Sequence, residues 1–240
     1  MTEGRAGTLL AGRIHYRQAT TGYRTGIEPV LMAAAVPARP GQRVLEAGCG
    51  AGAGLLCLLA RVPGLAATGV EMEPATAALA RGNLAANGFT GAEILARDVT
   101  QGVPGLFNHA MCNPPWHDGC WTATTDAVRG LALRAAPDTL NRFAIACAGG
   151  LRHRGTLTLA LPAGLVAHGL QALTLAGCGS PAVLPLWPRA GQAARLVLLR
   201  GVRGGRGPCR VLPGLVLHEA DGAFTPAASA ILRDGAALPL

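Results

Sequence analysis

The chain has 240 residues, half of them hydrophobic, which is enough to build one large domain or two small ones around a buried core. No apolar run reaches the roughly 20 residues that span a bilayer, and the first residues lead into no signal-peptide core, so we expect a soluble, cytoplasmic protein. The seven cysteines are odd in number and lack C-x-x-C spacing, which argues against disulfides and structural zinc. Cys112, His117 and Cys120 lie close together but lack a fourth ligand, so we expect no metal site.

Positive charge is concentrated in the second half of the chain. The formal net charge is +8, and all 21 cationic residues are arginine. Nine of them fall between residues 139 and 218, a stretch without Asp or Glu. A half of the chain that carries only positive charge favours a polyanionic partner, and nucleic acid is the first candidate. A basic surface that only keeps the protein soluble is the alternative.

The first 36 residues predict a small hairpin around Gly12 and then a short helix with Pro29 in its first turn. We expect this unit, residues 1–36, to pack on the ligand site of a single globular domain that spans residues 37–240.

From residue 43 onward, strand patterns alternate with helix patterns. Strands are predicted at 43–48, 67–71, 93–97, 106–112 and 155–161, and helices at 53–62, 74–88, 137–148 and 163–176. Two further strands, 182–187 and 195–200, flank a turn and predict an antiparallel hairpin. A flexible basic loop at 201–207, a final hairpin at 212–225 and a helix to Arg233 complete the chain. This order predicts an α/β fold: a doubly wound, mostly parallel, seven-stranded sheet with helices on both faces and a reversed strand at its edge.

Chemically distinctive residues follow four of the predicted strands. A glycine-rich turn, residues 46–52, lets a ligand approach the backbone at a helix N-terminus. Glu46 would repel a pyrophosphate there, which favours a nucleoside that carries a sulfonium cation. Glu71 is placed to bind two ribose hydroxyls, and Asp98 an adenine amino group. Carboxylates that only cap the chain or face solvent would explain any one of these positions. They explain poorly why such residues follow three strands and Asn113 follows a fourth.

The fourth strand leads into Asn113-Pro114-Pro115-Trp116. The two prolines fix φ and remove two backbone donors, so their carbonyls are held rigidly outside any ladder. The stretch therefore offers acceptors to a planar NH2 group and a ring that can stack on it.

These motifs together resemble the class I S-adenosylmethionine-dependent methyltransferases. Residues 44–52 are similar to the cofactor loop of that family, 69–71 to its ribose motif and 96–98 to its adenine motif, while 113–116 resemble the NPP-aromatic signature of amino-group methyltransferases. The resemblance implies a Rossmann-like class I methyltransferase fold and S-adenosylmethionine as cofactor. It also implies that Asn113 and the first proline carbonyl accept hydrogen bonds from the substrate NH2 while the aromatic ring stacks. Such catalysis by position and polarisation needs no strong base.

The residue roles that the resemblance implies fall into two sets. The catalytic residues are Asn113, Pro114, Pro115 and Trp116. The cofactor-binding residues are Tyr23, Arg24, Glu46, Gly48, Cys49, Gly50, Gly52, Glu71, Met72, Asp98, Val99 and Asn113.

A narrower resemblance links residues 17–18, 22–31, 185–191 and 212–219 to the bacterial tRNA adenine N6-methyltransferases, which modify adenine 37 of a valine tRNA. It implies a tRNA or other structured RNA as partner, a monomer, and Tyr23 and Arg24 beside the methionine end of the cofactor; packing and a surface ion pair are the alternative for these two. Trp116 departs from this subgroup, which usually has Tyr there. The candidate substrate-binding residues are Trp116, His117, Trp121, Arg189, Arg195, Arg203 and Arg206.

Three functions stay open at this point. The first is methylation of adenine N6 in tRNA near the anticodon. The second is N-methylation of another target with the same signature, either a ribosomal RNA guanine or adenine or the glutamine amide of a release factor. The third is a cofactor-fold scaffold without chemistry. The acid-free stretch favours RNA over protein, and the intact strand-end residues favour an enzyme.

Overall fold

The computed structural model describes residues 4–20, 25–114 and 139–240. It opens with a two-stranded antiparallel hairpin, β1 (Gly4–Leu9) and β2 (Ile14–Ala19). Its turn holds Leu10, Ala11 and Gly12 at positive φ, a conformation that costs only glycine little. The short helix α1 (Glu28–Ala35) follows, with proline in its first turn. In the described part of the chain, no helix has the length and apolar character needed to cross a membrane.

A twisted central sheet forms the body of the domain. Its long strands are β3 (Arg43–Ala47), β4 (Ala66–Glu71), β5 (Ala92–Ala96), β6 (Phe107–Cys112), β7 (Leu151–Pro162), β8 (Cys178–Trp187) and β9 (Leu196–Arg203). They lie in the order β5-β4-β3-β6-β7-β9-β8, and the two-residue strands β10 (Arg210–Val211) and β11 (Leu215–Val216) pair with the outer side of β8. The predicted mostly parallel sheet of seven long strands is therefore confirmed, with two short additions.

The reversed strand does not lie where the sequence predicted. β9 is antiparallel to both of its neighbours and lies between β7 and β8, so it is an inner strand. The hairpin itself was predicted correctly. A tight turn, however, does not reveal which of its two strands pairs with the rest of the sheet.

Helices cover both faces of the sheet. One face packs against α1, α2 (Ala53–Arg61), α3 (Pro74–Ala86) and the last helix α6 (Pro226–Asp234). The other packs against α4 (Thr139–Gly149) and α5 (Val166–Leu175). Neighbouring residues of β3 alternate between the two cores: Val44 belongs to the first and Leu45 to the second. Burial on both faces explains why these strands are continuously apolar in sequence.

Strand direction defines two edges of the sheet. The parallel strands end at what we call the carboxyl edge and begin at the amino edge. Because β9 runs the other way, Leu196 lies at the carboxyl edge and Arg203 lies opposite Cys178 at the amino edge. Residues 201–203, predicted to start a flexible loop, are the last residues of β9, and the amides of Gly204 and Gly205 donate to the carbonyls of Gly177 and Val202.

The C-terminal region differs in part from its prediction. The expected final hairpin is reduced to a bridge between His218 and Phe224, because the segment before it pairs with β8 instead. The last helix is present, and the Thr225 hydroxyl caps it by accepting from the amide of Ala228 at 3.1 Å.

Candidate active site

The glycine-rich turn after β3 lies at the carboxyl edge and opens α2. Gly48, Gly50 and Gly52 have φ of 65°, 55° and 88°, which side-chain-bearing residues adopt only at a cost. A Cβ on Gly50 would meet no atom within 4 Å, whereas one on Gly48 would lie 3.4 Å from the Phe143 ring of α4. The turn is thus open on one side and bounded by an aromatic ring on the other. Phe143 was not predicted as part of the site, because the sequence gives no measure of how α4 crosses the sheet edge.

Glu46 does not reach the open side of this turn. Its side chain is 3% exposed, and one carboxyl oxygen accepts from the amide of Leu55 at 2.8 Å. A Cβ on Gly54 would collide with the other oxygen, so only glycine fits there. Burial raises the pKa of Glu46 to about 8, the bond from Leu55 lowers it, and the negative charge of Glu71 raises it further. Glu46 therefore fixes the start of α2 beneath the turn, and its direct contact with a cofactor stays a prediction.

Glu71, at the end of β4, connects the turn to the second strand. Its two carboxyl oxygens accept from the amide of Gly50 at 3.0 Å and from the amide of Glu73 at 2.9 Å. Both bonds hold the carboxylate beside the turn, and it remains only partly buried. The adjacent Met72 is 68% exposed, which is unusual for an apolar side chain and leaves an apolar surface beside the carboxylate.

Asp98 follows β5 and begins a single helical turn at Val99–Gln101. Hydrogen bonds from Thr100 hold the pKa of Asp98 below its usual value, first through the backbone N–H at 2.8 Å and then through the hydroxyl. The charges of Arg142 and Arg97 act in the same direction. Val99 is buried, so of the predicted pair only Asp98 presents its side chain at the edge.

Asn113 completes the edge, directly after β6. It is half-buried, and it is flanked by the buried residues Cys112 and Pro114. β6 pairs with β3, so Asn113 lies next to the end of the strand that carries the glycine-rich turn. The remaining predicted residues Tyr23, Arg24, Pro115, Trp116, His117 and Trp121 lie outside the described residues.

Two asparagines of α3, which the sequence did not single out, attach the N-terminal hairpin to this site. Asn83 accepts from the amide of Arg17 and donates to its carbonyl, at 2.8 and 2.7 Å. Asn87 makes the same pair of bonds with His15, at 2.9 and 2.7 Å. Four helical residues rise about 6 Å and two strand residues about 6.6 Å, so the two amides match the open edge of β2.

Asn83 also reaches the glycine-rich turn. Its side-chain N–H donates to the carbonyl of Ala51 at 2.9 Å, and the whole side chain is buried. The N-terminal hairpin and the turn therefore share one buried hydrogen-bonding group. The only sequence signal for this was the spacing of four between the two asparagines.

We expect Asn83→Ala to destabilise the protein by about 2–3 kcal/mol, because it removes three hydrogen bonds and leaves the carbonyl of the buried Ala51 without its partner. Asn87→Ala is the matched control, since Asn87 lies nearer the surface and does not touch the turn. Urea unfolding gives the loss for each variant. Equal losses for the two variants would contradict the role assigned to the buried amide.

The predicted substrate arginines separate into two places. Arg189 and Arg195 are exposed at the carboxyl edge, in the segment that joins β8 to β9. Arg203 and Arg206 lie at the amino edge, and Arg203 donates to the carbonyl of Ala176 at 2.5 Å. The antiparallel course of β9 therefore divides these four predicted substrate-binding residues between the two edges of the sheet, and their contact with the substrate stays a prediction.

The donor set of the carboxyl edge favours one kind of ligand. It offers an open glycine turn, the carboxylates of Glu71 and Asp98, and an exposed apolar side chain at Met72. Carboxylates suit hydroxyl and amino groups and repel a pyrophosphate, so the edge fits a cationic nucleoside. Within residues 4–20, 25–114 and 139–240, no three His, Cys, Asp or Glu side chains are grouped to hold a metal ion.

Comparison with known proteins agrees with this description. A family model described as the methyltransferase small domain matches residues 28–143, a little under half of the chain. The chain is 38% identical over 90 residues to a protein named ribosomal RNA small subunit methyltransferase C from Shewanella amazonensis, and 38% identical over 112 residues to its namesake from Aeromonas hydrophila. These matches cover 38% and 46% of this chain but only 26% and 31% of the relatives. The chain thus aligns with less than a third of either protein.

Solved structures extend the likeness to the whole fold. A protein from Agrobacterium tumefaciens, described as a predicted O-methyltransferase, superposes with a TM-score of 0.74 over 89% of this chain and 99% of its own, at 24% identity. A methyltransferase from Pyrococcus furiosus superposes with a TM-score of 0.59 at 16% identity. A third similar structure, a methyltransferase of calicheamicin biosynthesis, is described as the S-adenosylhomocysteine-bound form. The chain accordingly has the class I methyltransferase fold.

Proposed function

We propose that the chain is an S-adenosylmethionine-dependent N-methyltransferase that modifies an exocyclic amine of a nucleobase in RNA. The observation that carries the proposal is the alignment of Asn113 with the glycine-rich turn, Glu71 and Asp98 along one edge of the sheet. The family match over residues 28–143 and the RNA-modifying names of the relatives support it.

The proposed chemistry rests on position. Bound S-adenosylmethionine supplies an electrophilic methyl group on a sulfonium. Glu71 would bind the ribose hydroxyls and Asp98 the adenine amine, so the cofactor would be held along the carboxyl edge beside Asn113. The Asn113 side-chain oxygen and the Pro114 carbonyl then accept hydrogen bonds from the substrate NH2 and direct its lone pair at the methyl. Water takes up the proton that the methylated amine releases, so no strong base is required.

Ribosomal RNA is the first substrate that we propose, with a guanine or adenine amine as target. The relatives named for small-subunit ribosomal RNA support this choice over adenine N6 of tRNA, which the sequence resemblance suggested first. One observation still supports the tRNA alternative. The segments that carry that resemblance, residues 17–18, 22–31, 185–191 and 212–219, lie mostly outside the family match, which therefore does not account for them.

Transfer of a labelled methyl group separates these substrates. The protein is incubated with labelled S-adenosylmethionine and, separately, with ribosomal RNA, 30S subunits, total tRNA and release factor. Nucleoside analysis of the labelled fraction then identifies the base. Methylguanosine or methyladenosine in ribosomal RNA supports the first choice, and N6-methyladenosine in tRNA supports the second. Label in the release factor alone, or in none of the four, would overturn the proposal.

Glu71 provides a test of the cofactor site that needs no RNA. Because its carboxylate is held beside the turn by Gly50 and Glu73, we expect Glu71→Ala to weaken S-adenosylmethionine binding by about 10- to 100-fold, the loss of one or two charge-assisted hydrogen bonds. Isothermal titration measures the Kd. Glu93→Gln on the adjacent strand is the control, and an unchanged Kd in Glu71→Ala would contradict the ribose role.

A further inference from the structure

The loops at the amino edge of the sheet contain no acidic residue, and two of them contain an arginine. Residues 36–42, 62–65, 87–91, 102–106, 176–177 and 204–209 contain no Asp or Glu. Six arginines lie in these loops or in the strand ends beside them: Arg39, Arg43, Arg152, Arg154, Arg203 and Arg206. The carboxyl edge, in contrast, mixes Arg97, Arg189 and Arg195 with Glu71, Glu73 and Asp98. Among the described residues, the amino edge is therefore predominantly basic, with Glu93 near the start of β5 as an acidic exception, and it lies on the side away from the proposed chemistry.

Two of these arginines make contacts within the fold. Arg203 donates to the last turn of the α5 region at Ala176, where helix carbonyls concentrate negative charge. Arg43 lies over the Phe107 ring at 5.3 Å and is only partly exposed. The exposed remainder, which we call the amino-edge arginines, is Arg39, Arg152, Arg154 and Arg206.

A bulge in β7 presents two of them. Phe107 pairs with Leu151, but His109 pairs with Thr156, so four residues of β7 lie opposite one residue of β6. The extra residues, 152–155, leave the ladder and are exposed at Arg152, His153 and Arg154. Arg154 has φ of 66°, a strained conformation for a residue with a side chain. Bulges and strained residues of this kind recur where a side chain is aimed at a ligand.

The bulge and the Arg206 loop form one surface. The His153 ring fills the space above Gly204, where a Cβ would lie 2.9 Å from its Cε1 atom. Gly204 and Gly205 are held in turn by Gly177 and Val202, and the amide of Gly207 donates to the Ser180 hydroxyl at 2.7 Å. Arg39 is connected to the same region, because its amide donates to the side-chain oxygen of Gln42, which bonds to His109, and His109 bonds to Thr156. The backbone that carries these arginines is therefore held in place by hydrogen bonds and by the packing of His153 on Gly204.

We propose that the amino-edge arginines are a second RNA-binding surface, which contacts phosphates of a structured substrate away from its target base. The proposal rests on the proposed function, since it assumes an RNA substrate. The six residues of β6 span about 20 Å, so this surface lies about that far from Asn113. A short single strand held at Asn113 would not reach it, whereas a folded RNA wide enough to pass along the domain would contact both edges.

Charge-matched variants test this surface. The first replaces Arg152 and Arg206 with Gln and Arg154 with Asn, which tolerates positive φ. The second removes the same charge from exposed arginines elsewhere, as Arg5→Gln, Arg17→Gln and Arg233→Gln. Binding of full-length small-subunit ribosomal RNA, total tRNA and a three-nucleotide adenine oligomer, which spans only about 10 Å, is measured between 50 and 200 mM salt, and thermal unfolding confirms that both variants fold.

We expect the amino-edge variant to bind the folded RNAs about ten-fold more weakly, with a log–log salt slope smaller by about two to three units, one for each phosphate that the variant no longer neutralises. Its binding of the short oligomer should equal that of the wild type, as should the kcat of any methyl transfer, while KM for folded RNA rises. Equal behaviour of the two variants, or no RNA binding by the wild type, would overturn the proposal. If binding differs as expected but the wild type transfers no methyl group, only the proposed function fails.

Discussion

Asn113→Ala is expected to lower the rate of methyl transfer by about 10²- to 10³-fold, because it removes an acceptor that is pre-organised for the reacting amine. The residue directly follows β6 and is held between two buried neighbours, so its position is fixed by the sheet and not by a loose loop. Single-turnover transfer to whichever RNA accepts the label, with saturating cofactor, measures the effect without interference from product release.

Two further variants make this result specific. Asn113→Asp keeps an oxygen acceptor at the same place and should retain more activity than the alanine variant. Asn108→Ala removes an amide at the other end of the same strand, where its oxygen accepts from the backbone of Arg43 at 2.9 Å. That change should reduce stability and leave the rate of transfer in the folded protein unaltered. Wild-type rates in Asn113→Ala would show that the amine is not polarised as proposed.

The sequence was sufficient for the order of the elements and for the strand ends, for a physical reason. Parallel strands joined by helices bring their carboxyl ends to one edge, so the sequence pattern alone predicts that Glu71, Asp98 and Asn113 lie along the same edge. The same reasoning did not foresee that Glu46 faces inward. Its position in β3 made it look like a neighbour of the ligand, but the amide of Leu55 holds it under α2.

The distribution of charge along the sequence was less informative about the proposed RNA-binding surface than its distribution between the two edges of the sheet. Residues 139–218 are uniformly basic, yet β9 reverses direction and separates Arg195 from Arg203 by its own length. The hairpin had been predicted, but its consequence for the two ends of the strand depends on pairing with β7, which is a long-range contact. The asparagine pair of α3 is similar, because Asn83 and Arg17 are 66 residues apart.

Glu46→Gln should remove a pH dependence of stability that its burial creates. The pKa of about 8 in the folded protein lies above the ordinary value of 4.5, so the folded state binds a proton that the unfolded state releases. The contribution of Glu46 to the free energy of unfolding is fully present below about pH 4.5 and is lost as pH rises through 8. Between pH 6.5 and 8 the wild type should lose about 1.5 kcal/mol of unfolding free energy through this residue.

The limits of that range isolate Glu46 from other groups. Burial lowers the pKa of His109 to about 4, so this histidine makes stability fall as pH drops below 6.5. Buried thiols affect the pH dependence of stability mainly above pH 8, since burial raises the pKa of Cys57 from 9.0 to about 12. Urea unfolding at pH 6.5, 7, 7.5 and 8 therefore reports mainly on Glu46.

In Glu46→Gln the amide oxygen can still accept from Leu55 while no charge can form, so we expect a flat profile and greater stability than the wild type at pH 8. Glu93→Gln, which removes a carboxylate from β5 beside Thr68, should keep the wild-type slope. S-adenosylmethionine adds a second measurement. If its positive charges lie at the turn, they favour ionised Glu46, and its Kd should fall from pH 6.5 to 8 in the wild type but not in the glutamine variant. A wild-type profile that is already flat would mean that the Glu46 carboxyl is not held protonated beneath the turn.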